Sequence, residues 1–94
     1  MNNLTLVDLF LNEYWIEKGL SENTVQSYRL YLTALCDWLD KQNLSLETLE
    51  SLDLQQFLGS RLEQGYKATS TARMLSAMRK LFQYLYREKY RTDD

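Results

Sequence analysis

Hydrophobic positions recur along this chain at steps of three and four, the spacing that lines side chains up on one face of an α-helix. Four such stretches are visible. In the first, Leu6, Leu9, Phe10 and Tyr14 keep the spacing, Thr5 followed by Asp8 resembles a capping box, and Gly19 sits where a left-handed cap is needed. The pattern predicts a helix over residues 6–18. In the second, Ser21 offers an N-cap, Val25, Tyr28, Leu32, Leu35 and Leu39 form the stripe, and Gln42 and Asn43 end it, which predicts a helix over 22–41.

Residues 44–52 read as a connector with one helical turn, because Ser45 and Ser51 each offer a cap and the apolar spacing resets between them. Ser51 is the expected cap of a third helix over 52–64, with Asp53 placed in its first turn, where a carboxylate favours the positive end of the dipole. Leu54, Phe57, Leu58 and Leu62 make its stripe, and Gly65 closes it. The fourth helix spans 69–88 and turns Leu75, Met78, Phe82 and Leu85 inward. The predicted fold class is all-α: a small bundle of four main helices joined by short loops.

Composition supports this and removes several functions. Ninety-four residues make one domain, 45% hydrophobic and 26% charged, with no proline and three glycines; such a chain is too short for a second domain or a roomy active-site cleft. Cys36 is the only cysteine and histidine is absent, so neither a disulfide framework nor an ordinary zinc site is expected, and no cofactor is implied. The N-terminus lacks basic residues ahead of its apolar stretch, and no apolar run approaches the ~20 residues that span a bilayer. The expectation is a cytoplasmic protein without a membrane partner.

The net charge of −2 hides a division along the chain. Residues 1–60 carry three Lys/Arg against nine Asp/Glu, residues 61–91 carry eight against two, and Asp93 and Asp94 add the last two negative charges. Asymmetry of this kind points to a phosphate-bearing partner, although segregated charge also serves solubility.

The basic half contains the most informative segment, KATSTARMLSAMRKLF, residues 67–82. With Leu75 inward, a 100° step places Thr69, Arg73, Ser76, Lys80 and Arg87 on the opposite face. That stripe is basic and hydroxylated, without an acid. Small Ser and Thr allow close approach to a groove, and the longer side chains reach phosphates or base edges. Lys67, Thr69 and Ser70 gather at the helix start, where free N–H groups favour an anion. Capping by Thr69 or Ser70, with Arg73 and Lys80 merely solvated, explains the same pattern equally well.

A second candidate lies at the start of the second helix, where Asn23, Gln26 and Ser27 fall outside the apolar stripe and Arg29 flanks it. Capping explains Ser21 and Thr24 without DNA. Of the seven tyrosines, Tyr84 is expected outside and Tyr86 near the buried face, where packing accounts for them better than base stacking does. No tyrosine has around it the basic groups that would stabilise a phosphoryl-transfer transition state, so no catalytic residue is expected.

Two segments carry a resemblance to a known family. SENTVQSYRLYLTALCDWL and KATSTARMLSAMRKLFQYL resemble, in order and separation, the two signatures of the core-binding, SAM-like domain of phage-integrase-type tyrosine recombinases. LSAMRKLF is the most diagnostic part. The run GYKATSTARMLSAMRKLFQYLYREKYRTDD is closer still to the chromosome-dimer recombinases of that family, and the resemblance covers essentially the entire chain, read as one core-binding domain over 1–94.

The resemblance implies a domain that grips one face of double-stranded DNA through its second and fourth helices, while a catalytic domain beyond Asp94 closes on the other. The candidate DNA contacts are Asn23, Gln26 and Arg29 on one helix and Lys67, Thr69, Ser70, Arg73, Ser76, Arg79 and Lys80 on the other. It further implies a dif-type target site, a XerC-like recombinase as partner in a heterotetramer on DNA, and a division-linked DNA translocase acting through the catalytic half. The matching domain of a XerC-like recombinase or of a phage integrase, or a helical module whose basic face binds an acidic protein, are the alternatives.

Overall fold

The computed structural model describes residues 1–92; Asp93 and Asp94, whose two charges enter the balance along the chain, lie outside the described residues. Four helices follow one another: α1 (Asn3–Lys18), α2 (Glu22–Lys41), α3 (Ser51–Glu63) and α4 (Ala68–Arg87), with no strand among the described residues. The all-α bundle expected from the periodicity is the observed architecture. α1 packs along α2, and α4 packs against all three of the others.

The helix ends show where local sequence chemistry prevailed. Ser21 caps α2, its Oγ accepting from the Thr24 amide at 3.3 Å, and Gly19 closes α1 with φ 58° while its N–H donates to the Trp15 carbonyl. Two starts differ from expectation. α1 begins at Asn3 because the Asn2 side chain accepts from the Thr5 amide at 2.8 Å, a bond that Thr5 as cap would forgo. α3 is entered through Glu50 rather than Ser51: the Glu50 amide donates to Asp53 Oδ2 at 2.8 Å, the carboxylate reaching back over the first turn.

Asn3 is itself buried and joins three segments. Its amide nitrogen donates to Asp40 Oδ1 and to the Leu44 carbonyl, both at 3.0 Å, and its oxygen accepts from the Leu46 amide at 2.8 Å. That fixes the connector against the start of α1. The connector forms one turn, closed by the Leu49 amide on the Ser45 carbonyl, and buries Leu46 and Leu49. Arg91 clamps the same turn from the other end of the chain, donating to the Leu46 and Leu49 carbonyls at 2.7 Å each, beneath the Phe82 ring.

The inward face of α4 is turned from the expected one. Met74, Ala77, Met78, Leu81 and Leu85 are buried, whereas Leu75 and Phe82 are only half-buried. A helix that touches three neighbours buries a broad arc, so a stripe centred on Leu75 and Phe82 describes one edge of it. Those two line a shallow apolar groove with Leu54 of α3 and Tyr86. The tyrosines exchange roles for the same reason: Tyr84 is buried against Phe10 and Tyr90, and Tyr86 is half-exposed. Leu9 and Leu62, read as inward, stay exposed at 39% and 53%. The α2 stripe faces inward as expected, with Leu32, Leu35 and Leu39 fully enclosed against Leu6, Val7, Phe10 and Leu11 of α1 and the rest of one core cluster.

Candidate nucleic-acid interface

From residue 67 to residue 87, α4 and its cap carry five cations and no acid. The fold decides which of them are free to meet a ligand. Arg73 and Arg79 are exposed, and Lys67 is exposed at the helix start; Lys80 is half-covered along the cleft between α1 and α4, beside Glu17 and Lys18. Among the described residues none of these four has an ion-pair partner. Thr69 is exposed, while Ser70 and Ser76 are half-buried.

Arg87, read as part of the basic stripe, is occupied elsewhere. Its guanidinium pairs with Glu13 at 2.8 Å and with Glu17 and Glu88 at 3.4 Å each. The three carboxylates, two from α1, raise its pKa further, outweighing the opposing effect of desolvation. The stripe therefore loses its positive charge toward its C-terminal end. What remains is concentrated between Lys67 and Lys80, four cations within the first two-thirds of the helix.

On α2 the candidates are less available. Arg29 is ion-paired with Asp8 of α1, and the Gln26 side chain donates to Glu22 at 3.3 Å. Asn23 and Ser27 are exposed, and Asn23 makes no side-chain hydrogen bond among the described residues. No hydrogen bond or ion pair joins an α2 candidate to an α4 candidate among the described residues. The two sets sit on helices that pack against each other.

Two residues of interest were missed by the sequence. Leu30 follows Gln26 by one helical turn on the outer face of α2 and is 72% exposed; its signal is a leucine lying off the stripe that runs from Val25 to Leu39. Arg61 is the reverse, a cation only 7% exposed at the end of α3. Its signal is its position, four residues after the buried Phe57, on the face that packs.

The site offers charge and hydrogen-bond donors. Burial pushes the Tyr84 phenol up to about 12 and the Cys36 thiol up to about 12, with nearby carboxylates adding to the effect on the thiol. Both side chains are neutral and enclosed, the opposite of an activated nucleophile. No helix among the described residues is long and apolar enough to cross a membrane.

Residues 7–89 match the model of the phage integrase N-terminal SAM-like domain. The chain belongs to that family. Both segments on which the resemblance was read, beginning at Ser21 and Lys67, fall inside the matched residues. Among the relatives of this SAM-like domain, the Haemophilus influenzae tyrosine recombinase XerD is 86% identical over 94 residues, covering all of this chain and 32% of that protein. The Pasteurella multocida tyrosine recombinase XerD is 72% identical with the same coverage, and the Yersinia pestis tyrosine recombinase XerD is 58% identical over 89 residues, 95% of this chain and 30% of that protein. The chain thus spans about a third of the length of these relatives, in the part that the family model describes as N-terminal.

Proposed function

We propose that this domain is the DNA-gripping, core-binding part of a XerD-like site-specific tyrosine recombinase, and that residues 1–94 act as one unit beside a catalytic domain elsewhere in the longer protein. The outer face of α4 is the principal contact. The observation that carries the reading is the acid-free run from Lys67 to Lys80, in which Arg73 and Arg79 are exposed without an ion pair among the described residues. Cations left without an internal partner reach phosphates without breaking an ion pair, and contacts of this kind supply a large share of the affinity for duplex DNA.

In this reading Lys67, Thr69 and Ser70 hold the backbone at the helix start, and Arg73, Ser76, Arg79 and Lys80 follow the groove. On α2, Asn23 and Gln26 present amides suited to adenine edges, and Arg29 reaches a phosphate once it leaves Asp8. The domain is non-catalytic. Its duplex is a dif-type site, its partner a XerC-like recombinase in a heterotetramer, and a division-linked translocase acts through the catalytic part; the names of the relatives support the recombinase class, and these finer assignments follow from the resemblance.

The test is a fluorescence-anisotropy titration of the chain with a dif-like and a scrambled duplex at two salt concentrations. Binding that weakens steeply with salt supports the reading, and preference for the dif-like duplex supports the target. Salt-independent binding, or none at low salt, points instead to a helical module that recognises a protein.

A further inference from the structure

α4 begins without a side-chain cap. Lys67 holds the cap position with extended backbone, φ −70° and ψ 152°, and its side chain accepts no bond. The first bond of the helix runs from the Thr71 amide to the Lys67 carbonyl. The amides of Ala68, Thr69 and Ser70 therefore have no acceptor among the described residues, and they carry the positive end of a 20-residue helix dipole. A helix start alone is an ordinary feature, satisfied by water.

Arg61 makes this one different. Its side chain is folded in from the end of α3, with the guanidinium 4.0 Å from the centroid of the Tyr66 ring and 5.9 Å from that of Phe57. Its one hydrogen bond is long, from Nη2 to Ser70 Oγ at 3.5 Å, and its buried Nε has no partner. No carboxylate pairs with it among the described residues. An enclosed cation without a counter-charge is costly to fold, and here it is aimed at the third residue of α4. Because Ser70 Oγ accepts from Arg61, its own hydrogen is left to donate outward.

We infer that Arg61 is a positioning residue that completes a site for one phosphate group at the start of α4, formed by the free first-turn amides, the hydroxyls of Thr69 and Ser70, and Lys67. The occupant is a backbone phosphate of the duplex; this rests on the DNA-binding reading. Arg61 acts from behind, orienting the Ser70 hydroxyl and lending the site an unpaired charge, while Lys67 closes it from solvent.

Two arms test this on the 94-residue chain. In the first, inorganic phosphate is titrated while the amide resonances are followed by NMR. The amides of Ala68, Thr69 and Ser70 are expected to shift, to lose most of that response in Arg61→Met and Ser70→Ala, and to recover part of it in Arg61→Lys. In the second, duplex binding is measured over a range of salt. Arg61→Met should bind about tenfold more weakly, because the site loses the positive charge behind it and the orientation of the Ser70 hydroxyl, with the salt slope reduced by up to about one unit. A purely structural role would lower the melting temperature and leave the slope unchanged.

Equal phosphate responses in the parent and in folded Arg61→Met overturn the proposal, and Ser70→Ala decides it in the same way if Arg61→Met does not fold. If phosphate responds as expected but duplex affinity and slope survive Arg61→Met while Arg73→Ala with Arg79→Ala abolishes binding, the occupant is wrong and the DNA-binding reading stands. If no variant, nor the parent, binds duplex at low salt, the DNA-binding reading falls and the proposal with it.

Discussion

Replacing Arg73 and Arg79 together by alanine isolates the electrostatic share of the interface from the fold. Both side chains are exposed and neither has an ion pair among the described residues, so each substitution should change stability by about 0.5 kcal/mol or less. The effect on DNA is larger and can be worked out. If the four available cations, Lys67, Arg73, Arg79 and Lys80, each neutralise one phosphate, the logarithm of affinity should fall with the logarithm of salt with a slope of about −3.6. Removing two leaves about −1.8. Between 50 and 200 mM salt the parent should lose about 150-fold in affinity and the double variant about 12-fold. Anisotropy titrations at four or five salt concentrations, beside thermal melts, give both quantities. An unchanged slope in a variant that melts like the parent would refute the assignment of this face to DNA, whatever its absolute affinity.

Three further outcomes follow from the packing. Leu81→Ala should destabilise by roughly 2–5 kcal/mol, since Leu81 is fully enclosed, and Leu75→Ala at the edge of the groove by less; chemical denaturation of the pair tests the rotation of the α4 face. Arg91→Ala should cost about 3 kcal/mol by unpairing the Leu46 and Leu49 carbonyls, and Arg91→Lys should rescue little, because a single ammonium does not reproduce the two-pronged geometry. Finally, Cys36 and Tyr84, with usual values of 9.0 and 10.0, are each held protonated in the folded chain up to about 12. Groups whose pKa is raised on folding stabilise fully below the unfolded value, so melting temperature should decline as pH rises from 9 toward 12. A flat profile over that window in the parent, or an equally steep decline in Cys36→Ala with Tyr84→Phe, contradicts this.

The elements were legible because their signals are local. Ser21 and Gly19 are cap chemistry that operates within a few residues, and the α2 stripe is long enough for its inward face to be unambiguous. The α4 face was misread because its position depends on three neighbours at once, and periodicity alone does not report how wide an arc they cover. The basic run from Lys67 was visible, yet the loss of Arg87 to Glu13 and Glu17 was not, because those carboxylates lie some seventy residues away along the chain. Asn3 and Arg91 escaped for the same reason: each is a polar residue that holds backbone groups of a distant turn. Only the tertiary structure distinguishes a cation that holds the fold from one that remains free.

That distinction also bears on how a chain of net charge −2 could meet DNA through the face proposed here. The acids of α1 do not simply oppose the basic half. Asp8 takes Arg29, and Glu13 and Glu17 take Arg87, so the ion pairs trim the cations at the margins and leave Lys67, Arg73, Arg79 and Lys80 without ion-pair partners among the described residues. At physiological salt, fields from exposed charges decay over about 8 Å, and a phosphate approaching α4 responds to these four rather than to the total. The same trimming has an energetic direction. Recruiting Arg29 to DNA requires breaking its pair with Asp8, an exposed bridge worth about 1 kcal/mol or less, whereas Arg87 would have to leave three carboxylates. The α2 patch is therefore open to recruitment at small cost once α4 has docked, and the C-terminal end of α4 is not. Contact should begin at the start of α4 and extend toward α2.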